Sequence, residues 1–241
     1  MKICILYSGG LDSLIMSKYA AITCPDAEVI KVYFNIGQPY AYKEIAQLPA
    51  DVIVKNIDWN PTPVAKEGNT AGAIMIPGRN LVFAVLAGAM FTPDEIWLGA
   101  LKGEDNVGAT DKNDKFKDLA NASIGYTLSP YSNTKIVFPF VDANMGKLDI
   151  TRWALEHGIP AQLIIDSSSC MDAHLQKCGT CIVCARRWGI FSQLGLTEEY
   201  ATHPLDSESV RTHIRAVLSD TTGHYNTNRK QEFANITLEE L

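Results

Sequence analysis

Six residues near the start of the chain, Ser8-Gly9-Gly10-Leu11-Asp12-Ser13, combine hydroxyls, glycines and a carboxylate at a spacing suited to holding an anion. The apolar run KICILY (2–7) precedes them, and Leu11, Leu14, Ile15, Tyr19 and Ile22 follow at helical spacing. A strand, a glycine turn and a helix make a phosphate cradle. Glycine lets the backbone come close, and the helix start offers unpaired N–H groups and a partial positive charge. Ser8 and Ser13 can add hydroxyl donors, while Asp12 either helps place Mg²⁺ or hydrogen-bonds loop amides. A serine cap with a glycine turn is the plainer alternative, but the full string in this setting is more specific than Ser-Gly-Gly alone. The rival phosphate motifs GxxxxGK[ST] and GxGxxG do not occur.

A second cluster is metallic in character. Cys170-x7-Cys178-x2-Cys181-x2-Cys184 places four thiols within fifteen residues. Four soft ligands suit tetrahedral Zn²⁺, and a set with no open position marks a structural ion that helps fold a small subdomain. Gly179 eases the turn between two of the sulfurs. Free thiols and an iron–sulfur cluster are the alternatives, and His174 is a surface histidine rather than a ligand. Cys4, in a strand, reads as a small core residue.

These groups need elements to position them. Strands are expected at 2–7, 28–34, 51–57, 95–100 and 135–140, with helices at 11–22, 39–48, 81–91, 115–124, 147–157, 182–194 and 207–218. Gly158 stops the helix before it. Alternation of this kind gives a doubly wound parallel α/β sheet. The pattern divides the chain into a nucleotide-binding α/β unit at 1–160 and a zinc-binding unit with C-terminal helices at 161–241. A long connection at 56–78 is a candidate functional loop. Residues 103–114 read as an exposed polar loop, and the end of the chain as a loose tail.

Composition removes other classes. A net charge of -6 argues against nonspecific nucleic-acid binding. The longest apolar stretch, Leu81 to Phe91, is about half of the ~20 residues a membrane span needs. No signal peptide is visible, so a cytoplasmic location with reduced thiols is expected. The Asn-x-Ser/Thr triplets at Asn121 and Asn235 then carry no meaning.

SGGLDS (8–13) resembles the pyrophosphate-binding loop of the ATP pyrophosphatase superfamily. With GQPYAYKE (37–44), PGRN (77–80), LGA (98–100), SSC (168–170) and CGTCIVCARRWGIF (178–191), the chain to about residue 195 resembles the 7-cyano-7-deazaguanine synthase family. The resemblance implies an adenine-nucleotide α-hydrolase-like, Rossmann-type sheet and an ATP-dependent carbon–nitrogen ligase. Its substrates would be 7-carboxy-7-deazaguanine and ammonia, its cofactors Mg²⁺ and Zn²⁺, and a homodimer is compatible with it. Ser8, Gly9, Gly10, Leu11, Asp12 and Ser13 would hold the ATP phosphates, and Gly37 and Gln38 the adenosine. Arg79, beside Asn80, would clamp phosphate or the substrate carboxylate, with Asp12, Ser13 and Arg79 forming the catalytic set. Asp105 would read the guanine-like edge of the base. Arg187 reaches the substrate or forms a structural salt bridge, two equal readings, and Arg186 faces solvent. Tyr40 and Phe116 pack rather than stack on a base.

The sequence departs from the family's pattern at GATDKNDKF (108–116), at Gly78 in PGRN and just after Cys170. Those positions fall near the substrate rather than the ATP loop. A divergent ligase that stops at the amide or uses another amine is therefore a second reading. A tRNA-modifying enzyme with the same loop is a third, and a non-enzymatic zinc module is a fourth.

Overall fold

A computed structural model describes residues 1–38, 41–59, 64–65, 74–104, 111–129, 132–167, 169–170 and 176–241. The expected readings at Tyr40, Asp105 and His174 lie outside the described residues.

Five parallel strands form the main sheet in the order β3 (Val52–Asn56), β2 (Glu28–Asn35), β1 (Lys2–Leu6), β6 (Glu95–Trp97), β7 (Lys135–Val137). β1 pairs on both edges, with Ile3 opposite Val29 of β2 and Glu95 of β6. A central parallel strand must be apolar on both faces, and Ile3, Cys4 and Ile5 are all fully buried. Their alternation divides the core. Ile3 and Ile5 join α1 (Leu11–Thr23), α6 (Lys147–Glu156) and α7 (Ala161–Asp166) on one face. Cys4 joins α3 (Arg79–Phe91) and α4 (Asp114–Leu128) on the other. Burial pushes the Cys4 thiol up to about 12, which suits a small core residue. Between the third strand and α3, β4 (Val64–Ala65) and β5 (Ile74–Met75) pair antiparallel in a separate two-stranded ribbon. α2 (Ala41–Ala46) follows β2.

Several expected boundaries move for local reasons. β6 ends at Trp97 rather than at 100, and only the Leu98 N–H to Val137 carbonyl bond, 3.2 Å, extends the ladder. β7 ends at Val137 because Pro139 cannot donate to a ladder and instead opens α5 (Pro139–Asp142). Ile22, expected on the buried stripe of α1, is 44% exposed.

The largest correction concerns the end of the chain, which is not a loose tail. α8 (Ile182–Gln193), α9 (Glu208–Ser219) and α10 (Thr227–Gln231) enclose their own core of Ala185, Val210, Ile214, Val217, Phe233 and Ile236. Gly189 makes the docking possible. A Cβ there would meet the Glu232 carbonyl at 2.5 Å and the Phe233 ring at 2.6 Å. α8 also sends Ile190 and Phe191 into the core under the sheet, so one helix ties both cores together.

Candidate active site and metal centre

In the sheet order, the strands that follow β1 in sequence lie on one side of it and those that come later on the other. Ligands in open α/β sheets collect at such a switch point, beyond the carboxyl ends of the strands. The Ser-Gly-Gly turn stands there. Gly9 has φ +75, a conformation that favours glycine. α1 begins at Leu11 with no side-chain cap on Gly10. The Ser13 hydroxyl donates to the Gly10 carbonyl at 3.0 Å and accepts the Ser8 N–H at 3.2 Å, which fixes the loop's shape. Ser8 and Ser13 Oγ are 3.4 Å apart.

Asp12 finds a partner that the sequence reading missed. Lys147 Nζ lies 3.0 Å from Oδ1 and 3.1 Å from Oδ2 of Asp12, donating a hydrogen bond to Oδ2. The approach to Oδ1 is off-line, and that buried oxygen accepts no hydrogen bond. Burial pushes the Lys147 ammonium down and Asp12 opposes the shift. A signal for this pair was present in the sequence. Lys147 is the first residue of α6, where the helix dipole disfavours a cation, so a lysine there calls for a carboxylate elsewhere.

A cavity of about 310 Å³ opens beside the loop. Leu6, Phe34, Phe83 and Leu98 give it an apolar wall, and Ser8, Asp12 and Ser13 border it with Gln38, Arg79 and Asn80. Gln38 is oriented by a relay: its Nε2 donates to Tyr33 Oη at 2.7 Å, and Tyr33 donates to Glu44 Oε2 at 2.6 Å. Burial raises the Glu44 carboxyl despite those donors. Gly37 turns the chain with φ +75, its N–H bonded to Asn35 Oδ1 at 3.0 Å. Arg79 and Asn80 open α3 directly after Gly78, whose φ of +73 turns the chain into the helix. Phe116 stacks on Phe138 instead of reaching a ligand, with rings 6.4 Å apart and 4° from parallel.

Of the expected exposed loop at 103–114, residues 105–110 lie outside the described residues, and the described part is not all exposed. Glu104 is buried, and its Oε2 accepts from Lys112 Nζ at 2.8 Å. Burial would raise the Glu104 carboxyl, but Lys112, Arg186 and Lys147 together hold it below the usual carboxylate range. Arg186 does not face solvent. Its guanidinium forks onto Glu232, with both N–H···O distances 2.6 Å, and stands 3.8 Å from Glu104. Arg229 adds a second cation 3.4 Å from Glu232.

Arg187 is structural. It is fully buried, meets Glu198 at 2.6 Å, and donates to Ser167, Ser169 and the carbonyls of Ile164 and Ile165. Its ring contact is Phe191, 4.5 Å away. Of the two readings for Arg187, the salt bridge is present. Arg187 touches the cavity only through Ser169, a lining residue that also accepts the Leu11 N–H at 3.4 Å.

The sulfurs of Cys170, Cys178, Cys181 and Cys184 all lie within 4.8 Å of one another. Tetrahedral ligands ~2.3 Å from one ion would stand ~3.8 Å apart, and Cys178 and Cys184 Sγ are 3.9 Å apart. The set thus fits one metal ion. The backbone N–H groups of Cys178, Thr180 and Cys184 point at Cys170, Cys178 and Cys181 Sγ, each at 3.4 Å, and would stabilise thiolates. Gly179 has φ +75, and a Cβ there would fall 1.7 Å from the Thr202 carbonyl oxygen.

Fold and site together define a class: an α/β protein with a five-stranded parallel sheet and a four-cysteine cluster that could hold a metal ion. Residues 45–195 match the family model described as queuosine biosynthesis protein QueC, and the chain belongs to that family. It is 28% identical over 233 residues to a 7-cyano-7-deazaguanine synthase of Chlorobium phaeobacteroides, covering 86% of this chain and 97% of that protein. A synthase of the same name from Campylobacter curvus is 28% identical over 221 residues, covering 82% and 95%. Among solved structures, the U34-tRNA thiolase NcsA from Methanococcus maripaludis with its [4Fe-4S] cluster aligns over all of this chain and 72% of that one. At TM-score 0.40 and 13% identity, that likeness carries no weight. Among the described residues, no helix is long and apolar enough to cross a membrane.

Proposed function

We propose that the chain is an ATP-dependent carbon–nitrogen ligase that converts 7-carboxy-7-deazaguanine and ammonia to 7-cyano-7-deazaguanine. The observation that carries this reading is the SGGLDS loop, set at the end of the central strand and bordering a cavity shared with Gln38 and Arg79, in a chain of the QueC family. The carboxylate oxygen of the substrate attacks the α-phosphorus of ATP and pyrophosphate leaves. Ammonia then adds to the activated carbonyl carbon, AMP leaves and a proton is lost, giving the amide. In a second round the amide oxygen is activated by ATP in the same way. Loss of AMP and two protons leaves the nitrile. A carboxylate or amide oxygen is a poor leaving group, and its phosphate ester departs readily.

In this reading Ser8, Gly9, Gly10, Leu11 and Ser13 hold the phosphates through backbone N–H groups and hydroxyls. Gly37 and Gln38 border the adenosine, and Arg79 offers a planar fork to phosphate or carboxylate, with Asn80 beside it. Asp105 reads the base. Asp12, whose Oδ1 accepts no hydrogen bond, would help hold Mg²⁺, which offsets phosphate charge when bound. The four-cysteine ion is Zn²⁺ in a structural role. Residues 1–160 form the ATP-binding unit and 161–241 the metal-bearing one. The protein works in the cytoplasm on small molecules, without nucleic acid, as a homodimer.

Product mass spectrometry with Mg-ATP, ammonium and 7-carboxy-7-deazaguanine tests the reading. Ser13→Ala is a cleaner control than Asp12→Ala, because removing Asp12 leaves buried Lys147 unpaired. Nitrile formation lost in the control is the expected result. An amide or another conjugate as sole product would move the reading to the divergent ligase that the altered 108–116 segment favours. An unchanged substrate with intact ATP would end it.

A further inference from the structure

Behind the phosphate loop, among the described residues, lies a chain of ionised groups with unequal signs. Lys147 meets Asp12, Lys112 meets Glu104, Arg186 bridges Glu104 and Glu232, and Arg229 meets Glu232. Four cations thus face three carboxylates. His213, near this chain, does not add a charge at neutral pH, since burial and then Arg229 and Arg186 push it down to about 4. Three of the four cations are too buried to present a charge to the cavity: Arg186, Arg229 and Lys147 are 7 to 12% exposed. Lys112 differs. It is 29% exposed and is the cation of this chain that lines the cavity. Its partner Glu104 is shared with Arg186, so one carboxylate is divided between two cations. A surplus positive charge away from bulk water needs an anion, and the exposed side of Lys112 is where one can enter.

We propose that Lys112 is an oxyanion-contacting residue of this cavity: its ammonium, anchored by Glu104, meets a phosphate oxygen of the nucleotide or the carboxylate of the substrate. Lys112 lines the same cavity as Ser8, Asp12 and Ser13 of the phosphate loop. Burial alone would lower its pKa, but Glu104 outweighs that and keeps the cation charged. Glu104 is a positioning residue in this scheme, and Arg186 and Glu232 support it from the C-terminal helices.

The inference rests on the nucleotide reading of the cavity, and the test separates the two. Binding of ATP and of adenosine to the full-length, metal-loaded protein is measured by calorimetry for wild type, Lys112→Met and Lys112→Arg. The Michaelis constant for 7-carboxy-7-deazaguanine is measured alongside. Loss of one charge-assisted contact should weaken ATP binding about ten- to a hundredfold in Lys112→Met. Adenosine binding should be unchanged, and Lys112→Arg should recover most of the loss. If ATP binding holds and the Michaelis constant for the carboxylate rises by a similar factor, the oxyanion is the substrate's. If Lys112→Met matches wild type in both with its melting temperature intact, the proposal is overturned. Should that variant melt early, the ammonium resonance of Lys112 in wild-type protein decides: a shift with ATP or with the carboxylate substrate, absent with adenosine, supports the contact, and no shift with either overturns it. A wild type that binds ATP yet makes no deazaguanine product would refute the proposed reaction and leave the phosphate contact standing.

Discussion

Two neighbouring regions of this molecule treat their polar groups in opposite ways. Among the described residues around Cys170–Cys184, polar groups find their partners within the fold: Arg187 is surrounded by a carboxylate, two hydroxyls and two carbonyls, and sulfurs receive backbone N–H groups. Around Ser8–Ser13 the N-cap is a glycine with no side chain to offer, an aspartate oxygen accepts no hydrogen bond, and a cavity stands open beside it. Internal satisfaction fixes a shape. Open groups leave binding energy for a ligand. Substitutions in the first region should therefore cost stability, and those in the second should cost binding at little change in stability.

The sharpest way to break the contrast is the metal. Removing it with a chelator, or replacing Cys184 by Ser, should unfold the C-terminal subdomain, read as faster proteolysis after residue 160 and lost helical circular dichroism. A metal assay should find one ion per chain, lost in the variant. Gly179→Ala comes next. A Cβ in collision with the Thr202 carbonyl and a left-handed φ should destabilise by more than ~4 kcal/mol, visible as a large drop in melting temperature. Arg187→Met leaves buried Glu198 with Lys177 as its one remaining cation and the Tyr200 hydroxyl as its other donor, and should cost ~3–5 kcal/mol in denaturant unfolding. Arg79→Ala, by contrast, should leave stability within ~0.5 kcal/mol and weaken ATP binding about tenfold. Equal stability losses in the two arginine variants would erase the distinction between the regions.

A pH titration gives the smallest and most specific effect. Burial would raise the Glu232 carboxyl, but Arg186 and Arg229 hold it below its ordinary value. A folded-state pKa below the unfolded one, ~4.3, means the pair stabilises the protein fully above that pH. The contribution fades as pH falls toward the folded pKa. Glu232→Gln should therefore be less stable than wild type at pH 7, and the gap should narrow below about pH 4.3. A gap that stayed constant down to pH 3 would mean that Glu232 has no charge role.

Much of this was legible in the sequence where one stretch determines its own structure. The strand–turn–helix at 2–23 needs only period, glycine and hydroxyls, and the cysteine spacing announces one four-sulfur cluster. Legibility ended where a residue's meaning depends on a distant partner. Arg186 and Arg187 are adjacent in a helix, and nothing local distinguishes them. Glu232 and Glu198 do so, from 46 and 11 residues away. Glu104 looked like one more charge in a polar loop because its burial comes from Lys112 and from α8. The tail looked loose because its apolar residues, Phe233 and Ile236, are few, and the gap they fill is made by Gly189 on another helix.

That gap has a consequence in time. Glu232 follows every strand of the sheet in sequence, and it braces the arginine that stands behind Glu104 and Lys112. During synthesis the parallel sheet and the phosphate loop can form before Glu232 has left the ribosome. The brace cannot. The electrostatic setting of the cavity is thus assembled later than the sheet, so a polypeptide cut short before Glu232 would carry an intact SGGLDS loop within an unfinished site.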